Sequence, residues 1–328
     1  MNANFEAMRV SQGALPIIDV SGLRSPDPEE RRAVGLALRA ACTDKGFFYI
    51  RNHGVDPALQ ARVFDAAQRF FHQPLEQKKR VDMALSPANR GYEPLRGQTL
   101  ETGAPPDLKE SYYVGEERGP DDPKVKAGKF NHGPNQWPDG VEDFRPAIEA
   151  YYREMTALSQ LIMDGLALSL ELDEHYFDDF CQQPQAIVRL LHYPPQPANP
   201  APNEKGCGAH TDFGGITLLL QDDNPGLQVW NQARGAWMHA DPVPGAYVVN
   251  LGDMIARWTN DRYRSTLHRV VNISGKERYS IPFFYSGNPD HEVRCLPGCL
   301  ADGEQPKYPP VTVEQHIMEM YRRTYAPA

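Results

Sequence analysis

The sequence predicts an α+β protein with a β core of the sandwich or jelly-roll kind. An N-terminal α/β segment and one long central helix are expected to precede that core. Three observations carry this. The second half of the chain holds seven short apolar runs: "AIVRLLHY", "GITLLLQ", "GLQVW", "GAWMHA", "AYVVNLGD", "TLHRVVN" and "RYSIPFFY". Turn-forming stretches such as "DDNPG", "NQARG" and "DPVPG" stand between them, and short strands at such spacing fold as a sandwich or jelly roll. From Val141 to Leu172 the apolar residues recur at helical spacing, and the first third of the chain alternates strand and helix.

In order, "ALPIIDV" reads as a short strand. Ser25 or Asp27, followed by Pro28 and "EERRAVGLALRAAC", supplies a helix start with an acidic first turn. "GFFYIRNHG" is a second strand, after which Asp56 and Pro57 open the helix "ALQARVFDAAQRFF". From Ser86 to Trp137 the chain turns polar and rich in Gly and Pro, the mark of a functional or mobile stretch. Pro146 falls in the first turn of the long helix, where proline is tolerated. The final helix is "TVEQHIMEMYRRTY". No internal repeat or low-complexity segment interrupts the pattern.

Length and composition narrow the function. A chain of 328 residues with 41% hydrophobic residues can bury a substantial core. A net charge of −9, with no long basic run, argues against nucleic acid as a partner. The start "MNANFEAMRVSQGALP" has no apolar stretch of signal-peptide length, and no apolar stretch is long enough to span a membrane. Cys42, Cys181, Cys207, Cys295 and Cys299 are odd in number and scattered, as expected of reduced thiols in a cytoplasmic protein. Cys295 and Cys299 match paired zinc spacing poorly.

The chemistry is concentrated in "GAHTDFGGITLLL". Residues two apart on a strand face the same way, so His210 and Asp212 are expected to project together at the mouth of an apolar strand. Burying a carboxylate costs several kcal/mol unless something pairs with it. A histidine and a carboxylate so placed supply two of the three ligands of a 2-His-1-carboxylate facial triad; taken alone, the pair reads equally well as a strand end whose Asp caps a local turn. The chain repeats the pattern at His239 and Asp241, but "DPVPG" makes Asp241 a turn residue and His239 a rim side chain. His268 in "YRSTLHRVVN" is the candidate third ligand; a lone histidine is more often a core residue bonded to a backbone carbonyl, and the next strand shifts that balance. On the next strand, "ERYSIPFFYSG", Arg278 and Ser280 share one face. An Arg directed into a barrel must meet an anion, and its fork suits a carboxylate to which Ser280 adds a hydroxyl.

The order His-x-Asp, a distal His in "LHRV" and then Arg-x-Ser resembles the iron(II)- and 2-oxoglutarate-dependent oxygenases, and more narrowly their isopenicillin-N-synthase-like branch. "LPIIDVSGL", "GFFYIRNHGV", "NRGY", "LLHYPPQP", "GLQVW", "NLGDMIARWTND" and "YRSTLHRVVN" extend the likeness over nearly the whole chain. The resemblance implies a double-stranded β-helix (jelly-roll) core with flanking helices. It also implies His210, Asp212 and His268 as iron ligands and catalytic residues, and Arg278 and Ser280 as the grip on the distal carboxylate of 2-oxoglutarate. Tyr193 matches a tyrosine that reaches the co-substrate in several relatives, and His53 in "NHG" becomes a fold marker. The implied cofactors are Fe(II), 2-oxoglutarate and O2. The implied reaction is oxidation of a small-molecule C–H bond with release of succinate and carbon dioxide, the metal and co-substrate carrying the hard chemistry.

Two departures matter. Many plant members have Asn-Tyr-Tyr-Pro where this chain has Leu191, His192, Tyr193 and Pro194, so that Asn contact is absent. Arg-x-Ser is also shared with isopenicillin N synthase, which holds its substrate's carboxylate there and uses no 2-oxoglutarate. An oxidase of that type is therefore the alternative, followed by a zinc hydrolase on a jelly roll and a non-catalytic binding module. Residues 1–135 are expected to carry the N-terminal region with substrate-side loops. Residues 136–328 are expected to carry the long helix, the core and the last helix, the two forming one compact unit. The stretch from Asn89 to Tyr113 is expected to fold over the barrel mouth, mobile without substrate, with Tyr92, Arg96 and Tyr112 as substrate contacts.

Overall fold

The computed structural model describes residues 15–197, 199 and 201–325; most of the N-terminal stretch read for targeting signals lies outside them. The N-terminal third carries β1 (Ile17–Asp19), α1 (Pro28–Asp44), β2 (Phe47–Arg51), α2 (Pro57–Phe71), α3 (Leu75–Lys78), β3 (Gly91–Glu93), β4 (Glu110–Gly115) and α4 (Pro123–Lys126). Then come α5 (Phe144–Ser169), α6 (Asp178–Cys181), β5 (Gln185–Tyr193), β6 (Cys207–His210), β7 (Ile216–Gln221), β8 (Leu227–Asn231), β9 (Ala236–His239) and β10 (Tyr247–Leu251). The chain continues through α7 (Asp253–Trp258), β11 (His268–Val270), β12 (Arg278–Gly287), β13 (Glu292–Val293), β14 (Val311–Thr312) and α8 (Val313–Tyr325).

The helix starts follow from their caps. Asp27 accepts the Glu29 N–H at 2.9 Å, and Asp56 accepts the Ala58 N–H at 2.8 Å. Each is followed by a proline at the first helical position, whose missing N–H costs nothing there. Helix α5 buries Ala147, Ile148, Tyr151, Met155, Leu158, Ile162 and Leu166, an apolar stripe at helical spacing that packs against β5, β7 and β12.

Eight strands form one sheet in the order β1-β2-β10-β7-β12-β5-β4-β3, and four form a second in the order β6-β11-β8-β9. Only β1 and β2 pair in parallel among these. The two sheets close the expected jelly roll. One core lies between the large sheet and the helices, with Phe70, Phe144, Leu218 and Ile281; the second lies between the sheets, with Phe47, Leu191, Leu219, Val229 and Val248. The large sheet is thus covered on both faces, which is why β7 and β10 read as continuous apolar runs rather than alternating ones.

Two elements differ from expectation. The stretch from Asn89 to Tyr113 is not one loose loop, because β3 and β4 lengthen the large sheet beside β5. Every residue of β4 is buried, including Glu110 and Ser111, whose polarity makes "ESYYVG" look like loop. Their partners are remote in sequence: Glu110 accepts from Lys78 and Ser111 from Arg189. Helix α7 also follows β10, in a stretch for which the sequence suggested no element. Gly252 permits this, since a Cβ there would stand 2.2 Å from the Gly214 carbonyl oxygen.

Candidate active site

Strand β6 ends at His210, and His268 opens β11 directly opposite, the two being paired in register. Asp212 lies two residues past the end of β6 rather than on it. Its Oδ1 is 3.7 Å from His210 Nε2 and 3.6 Å from His268 Nε2, and the two imidazole centroids are 4.3 Å apart. One ligand atom from each residue lies within 4.8 Å of the others, close enough for one ion to reach all three.

The surroundings fix which atoms face inward. His210 Nδ1 is 2.8 Å from the Gly208 carbonyl and His268 Nδ1 is 3.1 Å from the Thr266 carbonyl. A carbonyl only accepts, so both Nδ1 atoms carry the proton and both Nε2 atoms present a lone pair. Asp212 is clamped likewise: Thr217 and Asn250 each donate to Oδ2 at 2.6 Å, leaving Oδ1 towards the histidines. Burial alone would raise the Asp212 carboxyl, but His268, His210, Asn250 and Thr217 together hold it below its ordinary value. Burial, and then His210, push His268 down to about 4, keeping it neutral. Two neutral imidazoles and a carboxylate are the donor set that suits iron(II) and leaves one octahedral face open.

One end of the same cavity holds Arg278, Ser280 and Tyr193. Arg278 is fully buried, donates from Nε to the Asn224 carbonyl at 3.2 Å and from Nη2 to Gln221 at 2.8 Å, and lies over the Tyr193 ring. Its Nη1 is buried with no hydrogen-bond partner among the described residues. A buried guanidinium with one unused donor, beside a serine and facing the triad's cavity, suits a carboxylate brought by a ligand. The residues present therefore fit both groups: three metal donors and, beyond them, an anion grip.

The other end is the mouth, lined by Gln98, Leu100, Tyr113, Phe213, Ile317 and Tyr321 among others. Arg189 faces both ends and is held by Glu93 at 2.8 Å and by Ser111, with the Tyr113 ring beneath it. The expected substrate contacts lie elsewhere. Tyr92 and Tyr112 are buried in the helix-side core, where Tyr92 donates to Glu110 at 2.6 Å, Tyr112 donates to the Gln136 carbonyl, and both rings meet Phe70. Strand alternation is the reason: on β4, Tyr113 faces the cavity, so its neighbour Tyr112 faces away. Arg96 is paired with Glu204 at 2.7 Å and does not line the mouth.

His239 and Asp241 are 4.0 Å apart and outside the triad. His53 accepts the Val55 N–H at 3.1 Å and meets the Tyr247 ring edge-on, as a fold marker would. Sequence reasoning missed Thr217, Asn250 and Arg189. Counting back in twos from Tyr193 gives Leu191, Arg189, Ile187 and Gln185, all of which line the cavity, so alternation on β5 held the signal.

Comparison with known proteins agrees with this geometry. Residues 15–140 match the family described as non-haem dioxygenase in morphine synthesis N-terminal, and residues 184–287 match the 2OG-Fe(II) oxygenase superfamily. The chain is 49% identical over 319 residues to the 2-oxoglutarate-Fe(II) type oxidoreductase hxnY of Emericella nidulans, covering 96% of this chain and 91% of the relative. It is 42% identical to the 2-oxoglutarate-dependent dioxygenase citB of Monascus ruber, covering 95% of each. Among solved structures, a full-length Neurospora crassa protein in complex with alpha-KG and thymine superposes with a TM-score of 0.82 at 31% identity, covering 96% of this chain and 98% of that one. JOX2 in complex with 2OG, Fe and JA gives a TM-score of 0.77 at 31% identity, covering 96% and 86%. The chain belongs to the iron(II)- and 2-oxoglutarate-dependent oxygenase superfamily.

Proposed function

We propose that His210, Asp212 and His268 hold the iron, that Arg278 and Ser280 bind the distal carboxylate of 2-oxoglutarate beside Tyr193, and that a small molecule enters through the mouth to be oxidised. The observation that carries the co-substrate assignment is the unused, buried Nη1 of Arg278 on the triad's cavity. When bound, iron(II) with 2-oxoglutarate and dioxygen supplies oxidation of a C–H bond coupled to release of succinate and carbon dioxide.

The chain's own groups do the rest. Thr217 and Asn250 occupy Asp212 Oδ2 and leave Oδ1 to be offered to the metal, the Nδ1 contacts keep both imidazoles aimed, and Leu100, Phe213, Phe284 and Ile317 give the mouth an apolar side. A small-molecule substrate accords with relatives whose structures hold thymine and JA. The five cysteines are all free, as befits a cytoplasmic enzyme. Among the described residues no helix is long and apolar enough to cross a membrane. Regions 1–135 and 136–328 are proposed to act as one unit, a reading supported by the pairing of β2 with β10 and of β4 with β5.

Calorimetric titration of the anaerobic iron(II) protein with 2-oxoglutarate tests this reading. Saturable one-to-one binding, and succinate released on admitting oxygen, are expected. Oxygen uptake on another substrate without succinate would instead assign Arg278 to that substrate's own carboxylate, as in an isopenicillin-N-synthase-type oxidase.

A further inference from the structure

Most polar groups of the mouth are satisfied within the protein. Gln98 accepts from Arg189 at 3.0 Å, Asn131 accepts from Asn89 at 2.6 Å, Tyr113 donates to Glu93 at 3.0 Å, and Thr211 donates to Asp253 at 3.4 Å. Gln185 differs. It opens β5, is 6% exposed, and donates from Nε2 to the Phe130 carbonyl at 3.2 Å. That carbonyl fixes the amide's orientation, since an oxygen turned towards it would meet only another acceptor. Oε1 is therefore the free end, buried and without a hydrogen-bond partner among the described residues. A buried acceptor left unpaired is costly, and one at a ligand mouth is most simply paired by the ligand.

We propose that Gln185 is a specificity-determining residue whose carboxamide oxygen accepts a hydrogen bond from an N–H or O–H of the substrate. The substrate class follows from what lies between: Ile187, Phe213 and Phe284 wall the space from Gln185 towards the triad. The molecule selected has a compact apolar body and carries a donor at the end remote from 2-oxoglutarate. This rests on the functional reading above, but on a different part of the strand. Gln185 and Tyr193 stand eight positions apart on β5, about 27 Å at the antiparallel rise.

A rival account exists in the small hollow behind the mouth, which Gln185 shares with Arg90. Arg90 Nε is also buried without a partner among the described residues, and a water bridging it to Gln185 would make Oε1 purely structural. Matched probes separate the two. The anaerobic iron- and 2-oxoglutarate-loaded protein is titrated with phenol against anisole, uracil against N,N-dimethyluracil, and indole against N-methylindole. We expect the donor-bearing member of at least one pair to bind about tenfold tighter, as one hydrogen bond to a buried acceptor provides. Gln185→Met, of similar length but a weak acceptor, should erase that preference while leaving 2-oxoglutarate affinity unchanged. Equal affinity within every pair for the wild-type protein, or a preference that survives Gln185→Met, overturns the proposal. The wild-type arm decides even if the variant folds poorly. Failure of the functional reading would show separately, as absent 2-oxoglutarate binding.

Discussion

The two ends of the cavity are built on the same two strands in different ways. At the co-substrate end β5 and β12 run in regular antiparallel register, with Arg278 opposite Tyr193 and Ser280 opposite Leu191. At the mouth that register slips between Tyr285 and Gly287. There the walls come from the connection between β3 and β4, from the residues around Asn131 and Phe213, and from α8. In the proposed reading the co-substrate, common to a whole superfamily, is met by rigid ladders, and the substrate by connections and a terminal helix. A sheet fixes position to a fraction of an ångström, while loops tolerate replacement.

The largest effects should sharpen that contrast from the rigid side. Asp212→Ala or His210→Ala should lower iron content to background after anaerobic reconstitution, whereas His239→Ala should leave it intact; metal analysis decides. Arg278→Leu should weaken 2-oxoglutarate binding by one or more orders of magnitude, since breaking a buried charged pair costs about 2–5 kcal/mol, with iron content unchanged. Asn250→Ala, with Thr217→Val beside it, should weaken iron binding about 10- to 100-fold, as lost orienting contacts do, read by competition with a chelator.

Smaller effects test the mouth. Tyr112→Phe removes a buried hydroxyl from the Gln136 carbonyl. It should cost about 1 kcal/mol of stability, seen as a lower melting temperature, with no change in probe binding. A change in probe binding instead would restore Tyr112 as a substrate contact. The smallest effect is one of pH. Burial, with Arg257 nearby, pushes His316 down to about 4 from its ordinary 6.5, while its Nε2 donates to the Phe213 carbonyl at 3.0 Å. The docked helix then binds fewer protons than the released one, so docking is strongest above pH 6.5 and weakens as pH falls towards 4. Hydrogen exchange in residues 313–325 should accelerate over that range, and less so in His316→Asn.

The difference between the two ends also explains what was legible in the sequence. His210, Asp212, Arg278, Ser280 and Tyr193 lie on or beside apolar strands, where a polar residue stands out and alternation says which way it faces. Asn250 stood out equally in "AYVVNLGD", but only the fold shows that its strand runs beside Thr217, the two being paired in register. Tyr92 and Tyr112 were misplaced because β3 and β4 carry buried charge satisfied by residues far along the chain, which disguises strand as loop. Without that strand, nothing distinguishes Tyr112 from Tyr113, and one position of parity separates core from mouth. Gln185 sits at a strand's first residue, where composition is silent and only its missing partner speaks.

Helix α8 brings Ile317 and Tyr321 to the mouth, and Val313 and Ile317 anchor it in the main core. Glu314 meets Lys129 and the Phe130 N–H, each at 3.0 Å, His316 meets Phe213, and Tyr321 meets the Phe130 ring edge-on at 5.1 Å. The 13 residues of the segment thus reach the mouth through Ile317 and Tyr321 and, through His316, the residue beside Asp212. Substitutions at Ile317 and Tyr321 should change what enters, whereas substitutions at His316 should also reach Asp212 through Phe213.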